Sequence, residues 1–81
     1  MRKNVRIVGV GKRRVGTSAA GNSYDFTPIS VLFKDDQMAG MKAETTNVSA
    51  DVLPHELLGI DQEYDMVMHY SNFKLYIDAV I

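Results

Sequence analysis

The sequence predicts a small all-β domain, a five-stranded barrel with one short helical turn. Three observations carry that expectation. Apolar and polar residues alternate with a period of two over residues 63–70 and again over 73–81, the pattern of half-buried strands. Runs rich in β-branched residues at 5–10 and 29–33 are bounded by glycine, proline and charge, as strands are. The connections are dense in Gly, Ser, Asn and Asp, and leave no room for a long helix. At 81 residues the chain is one domain with a small core. Its hydrophobic fraction of 46% excludes global disorder.

Val5-Arg6-Ile7-Val8-Gly9-Val10 reads as the first strand, with Gly9 and Gly11 suggesting a bulge near its end. The fragment Gly9-Val10-Gly11-Lys12 is no phosphate loop. That motif needs glycine where Arg6 stands and Ser or Thr where Arg13 stands. Residues 15–23 read as a long turn, since Gly16, Gly21 and Asn22 accept positive φ. A connection of that length between strands is mobile or functional.

Residues 24–34 resume strand character. Ile29, Val31 and Phe33 share one parity and point inward, which turns Tyr24 and Phe26 outward with Pro28, Ser30 and Leu32. A bulge near Pro28 would reverse this and bury both rings, the more ordinary fate of aromatics at strand spacing. The pattern alone leaves both arrangements open.

Lys34-Asp35-Asp36-Gln37 is a solvated turn. Residues 41–48 form a polar strand, suited to an edge or an interface. Residues 49–59 hold the helical turn, capped by Ser49 or Asp51, interrupted by Pro54 and closed by Gly59. Tyr64, Met66, Met68 and Tyr70 then line one strand face, and Phe73, Leu75, Ile77, Ala79 and Ile81 line the next, across a Ser71-Asn72 turn. Five strands in so short a chain suit the OB-fold, a barrel that binds oligonucleotides.

Charge is divided along the chain. Residues 1–34 carry seven cations and one anion, Asp25; residues 35–81 carry two cations and nine anions. A polyanion partner on one face explains such a split, and so does mutual attraction of the two halves. Function concentrates where Lys12, Arg13 and Arg14 precede the Gly/Ser loop and Tyr24 and Phe26 follow it. Cations track phosphates and exposed rings stack on bases, so this combination suits a single-stranded nucleic acid.

Other chemistry finds little support. His55, read as an exposed loop residue, and outward-facing His69 are the only histidines, too few for a metal site. Asp35-Asp36 and Asp61, Glu63 and Asp65 lack a calcium-loop pattern, and no nucleophile–base arrangement is visible. No enzyme activity, cofactor or metal is expected. With no cysteine, disulfides are excluded and a cytoplasmic setting is expected. No apolar run approaches the roughly 20 residues of a membrane span, and no secretory signal is expected.

From Arg14 through Gly16-Thr17-Ser18, Gly21, Tyr24 and Phe26, the sequence resembles the single-stranded DNA-binding (helix-destabilising) proteins of filamentous bacteriophages. Tyr64 to Tyr70 and Leu75 to Val80 resemble that family's last hairpin. The resemblance implies an OB-fold homodimer that coats replicated viral DNA cooperatively inside the host cell. It implies a basic contact for Arg14, base contacts for Tyr24 and Phe26, and a DNA contact across the dimer for Phe73. Ala19 and Ala79 stand where cations are common in the family, so Lys12, Arg13 and Lys34 are expected to carry more of the phosphate contact, with Arg6 and Arg14 also neutralising phosphates. The final turn is shorter than in the best-known members. RNA is a variant of the same partner class. The competing expectation is a small β-barrel protein-interaction module whose basic segment meets an acidic protein.

Overall fold

The computed structural model describes all 81 residues, Met1–Ile81, and is all-β. Six strands form one antiparallel sheet: β1 Arg2–Val10, β2 Arg14–Thr17, β3 Ser23–Lys34, β4 Met41–Ser49, β5 Glu63–Ser71 and β6 Lys74–Val80. One 3₁₀ turn, His55–Leu57, interrupts them. The long strands run in the order β4-β3-β1-β5-β6, and β2 pairs with the N-terminal end of β3. At about 3.3 Å per residue, the 12 residues of β3 span about 40 Å, close to the longest dimension of the molecule, 43 Å.

Two expectations about this architecture need correction. There are six strands rather than five, because the segment read as a long turn folds into β2 and leaves only Ser18–Asn22 as its turn. The barrel also does not close. The sheet curls until β4 and β6 meet, but no ladder joins them. Thr46 Oγ1 donates to the Leu75 carbonyl at 2.6 Å across that seam.

The core follows strand parity. Val5 and Ile7 of β1, Ile29, Val31 and Phe33 of β3, Val48 of β4, Met66 and Met68 of β5, and Leu75 and Ile77 of β6 are buried. The sequence of Met1 extends β1 by a reciprocal pair of hydrogen bonds with Met68. Leu53 is buried, and Val52 and Leu58 pack beside it, so the segment around the 3₁₀ turn covers part of the core. Pro54 sits at the start of this turn instead of interrupting it, and neither Ser49 nor Asp51 caps it. Ser49 Oγ instead accepts the Asp51 N–H in a separate corner. His55, expected to be exposed, is half-buried with Nδ1 3.2 Å from Thr27 Oγ1.

Two bulges shift parity. The one in β1, between Ile7 and Gly9, lies where the glycines suggested it. The one in the β5–β6 ladder, between Val67 and Met68, was not anticipated. It moves Ala79 out to solvent and brings Val80 against the core, reversing the expected inward placement of Ala79. Ile81, past the end of β6, is exposed as well. The hairpin turns on Asn72-Phe73 rather than Ser71-Asn72, so Phe73 leaves the inward face of β6.

Candidate nucleic-acid interface

Strand β3 decides the fate of the two rings. Its register with β4 runs unbroken from Phe26↔Ser49 to Lys34↔Met41, so no bulge at Pro28 reverses the parity. Tyr24 is 41% exposed and Phe26 half-buried, and neither joins the core. Their ring centroids are 5.8 Å apart, with planes tilted by 39°.

The β2–β3 hairpin forms a projecting wing. Arg14 lies opposite Phe26 and Gly16 opposite Tyr24, and directly paired residues share a face. One wing face therefore carries Arg14, Gly16, Tyr24 and Phe26. Gly16 makes room for the ring: a Cβ would lie 2.6 Å from the Tyr24 Oη and 2.8 Å from its Cζ, so the phenol lies across the glycine. At the root of the wing, a Cβ on Gly11 would meet Pro28 Cγ at 2.7 Å. The Gly11 N–H donates to the Pro28 carbonyl at 2.7 Å, which ties the β1–β2 connection to β3.

The opposite wing face is braced by charge. Arg13 grips Asp25 through two hydrogen bonds, Nε to Oδ1 at 2.8 Å and a second guanidinium nitrogen to Oδ2 at 2.5 Å. The bond from Arg13 holds the Asp25 carboxyl below the usual carboxylate range. The same bond raises the Arg13 guanidinium. Arg13 was expected to meet phosphate; its charge is instead balanced within the wing.

The other expected cations divide by position. Arg6, Lys12, Arg14 and Lys34 are exposed and make no ion pair. Along the outward parity of β2, β3 and β4, Arg14, Lys34 and the two rings occur among neutral residues without a single carboxylate. Arg6 faces the same side, opposite Leu32. Acid begins at the next strand, where Glu63 and Asp65 of β5 lie opposite Arg6 and Asn4. Lys34 does not join the rings: ten residues of strand place it about 33 Å from Tyr24.

Phe73 is separate again. It is fully exposed at the tip of the β5–β6 hairpin with φ of 64°, next to Asn72 at 52°. Two positive φ angles in a two-residue connection mark a type I′ turn, where glycine normally follows asparagine. Phe73 borders a groove of about 570 Å³ with Lys42, Glu44, Tyr70 and Asn72. The Lys42 ammonium lies 4.6 Å from the centroid of the Tyr70 ring, and the Tyr70 hydroxyl donates to Glu44 at 3.2 Å.

Sequence reasoning missed the groove beside the rings. It measures about 680 Å³ and is lined by Gly16, Tyr24, Phe26, Ser49 and Asp51, among others. Ser49 and Asp51 reach it only through the Phe26↔Ser49 register, which leaves no local sign in the sequence. Comparison of the chain with family models, curated proteins and solved structures finds no match.

Proposed function

We propose that the protein binds single-stranded DNA, largely without regard to sequence, and coats it cooperatively as a homodimer during phage or mobile-element replication. The observation that carries this reading is the pair of rings, Tyr24 and Phe26, displayed outside the core on a strand face whose own residues carry no carboxylate and include the unpaired Arg14. Bases stack on such rings while the cations follow the phosphates. The strand order supports the reading too. With β2 set aside as an appendage, β4-β3-β1-β5-β6 is the Greek-key order of an OB-fold, left open at the β4–β6 seam. In that fold the second and third strands, with the loops after the first and fourth, meet oligonucleotides. Here those places hold the outer face of β3 and β4, the β2 wing and the Phe73 turn.

Fluorescence titration with oligo-dT at several salt concentrations tests the proposal. Four cations meeting phosphates give a slope of log K against log salt of about −3 for a single strand. Tyr24→Ala and Phe26→Ala each weaken binding by about 1–3 kcal/mol while the folded spectrum is kept. Binding that ignores salt, and variants that bind like the parent, favour the competing reading of a protein-interaction module. The fully exposed Phe73 is the feature that suits that alternative. A parallel titration with oligo-U separates DNA from RNA.

A further inference from the structure

We propose that Asp51 is a base-reading residue that selects guanine within the bound strand; this rests on the nucleic-acid reading above. Two carboxylates border the ring groove, Asp25 and Asp51, and they differ in availability. Asp25 has both oxygens engaged by Arg13. The Asp51 side chain makes neither an ion pair nor a hydrogen bond, while its backbone N–H is fixed by Ser49 Oγ at 3.2 Å. The groove therefore offers two aromatic rings, the hydroxyls of Thr17, Ser23 and Ser49, and one unengaged carboxylate, the acceptor-only Asp51, on an anchored corner.

That chemistry sorts the parts of a nucleotide. A phosphate is repelled by the Asp51 carboxylate and drawn towards Arg14 and Lys12. A base is welcomed by Tyr24 and Phe26, and its edge meets Asp51. Unpaired bases are read along their Watson–Crick edges. Guanine presents two adjacent donors there, N1–H and the N2 amino group, which match the two oxygens of a carboxylate as an arginine fork does. Cytosine and adenine present one amino group beside a ring-nitrogen acceptor. Thymine presents one N–H between two carbonyl oxygens, both of which repel a carboxylate. The expected order is guanine first, cytosine and adenine next, thymine last.

The test compares three oligonucleotides of about a dozen nucleotides at one salt concentration. The first is all thymidine, the second carries isolated guanines flanked by thymines, and the third replaces each guanine by inosine, which lacks the N2 amino group. The parent protein binds the guanine oligonucleotide about fivefold or more tightly than the thymidine one, with inosine between them. Asp51→Ala binds all three alike, and binds thymidine slightly better than the parent because a repulsive charge is gone. Equal binding of the three by the parent, or a guanine preference that survives in Asp51→Ala, overturns the assignment while leaving single-strand binding intact. Failure to bind any of the three overturns both.

Discussion

Tyr24 owes its position to an absent side chain. Its phenol crosses Gly16, where a Cβ would lie 2.6 Å from the hydroxyl oxygen. The clashing atom is the far end of a side chain with free space beside it, so Gly16→Ala moves the ring and leaves the fold in place. Under the proposed function, oligo-dT affinity then falls by up to the stacking contribution of one ring, about 1–3 kcal/mol, with the melting temperature nearly unchanged. Phe73 shows the converse, a side chain kept where the backbone disfavours it. A left-handed L-residue costs about 1–2 kcal/mol, and glycine's greater freedom in the unfolded chain returns part of that. Phe73→Gly therefore raises stability by about 0.5–1 kcal/mol in denaturant titration, and under the proposed function it weakens DNA binding at the same time. Strand parity offered the outward direction of Tyr24 but left open a bulge near Pro28 that would bury it; the unbroken β3–β4 register decides between the two. The engagement of Arg13 was not readable, because its partner lies 12 residues away and only the β2–β3 register brings them together.

The β2–β3 wing carries one exposed charge pair, Arg13–Asp25, in addition to its ladder and to the backbone bonds that tie Gly11 to Pro28 and Ala50 to Asp25. The Asp25 pKa is lowered in the folded protein, so the pair stabilises the wing above the unfolded carboxyl value of about 3.9. That contribution is lost as pH falls through the lower, folded value. The Arg13 guanidinium stays protonated throughout and adds no titration of its own. Nuclear magnetic resonance of the Arg13 Nε–H should therefore follow an acid transition below about pH 4. Asp25→Asn abolishes it without disturbing the core. The strands themselves were legible, since β-branched runs and period-two alternation report directly on half-buried strands. The β5–β6 bulge was not. It inserts one residue near Asp78 without a glycine or proline to announce it, so Ala79 and Val80 exchange the faces that alternation assigns them.

Across the whole molecule, the chain's divided charge becomes a divided surface. The cation-rich first 34 residues supply β1, β2 and β3, whereas β5 opens the acidic side with Glu63 and Asp65. Composition shows the split, but only sheet order shows that the rings lie on the basic side. Whether the barrel closes was likewise hidden, because closure depends on how far the two last edges overlap and not on any local pattern. β1 and β3 are bonded along both edges, whereas β4 and β6 each have one edge facing the seam, where Thr46 Oγ1 and the Leu75 carbonyl make the one cross-link. The molecule is a slit tube, and its give is concentrated along the slit. Deuterium should enter the seam-facing amides of β4 and β6 well before those of β1 and β3, and Thr46→Val should hasten that entry. A wall able to part there can change its girth without rupturing a ladder, which under the proposed function would let one chain follow strands of differing curvature.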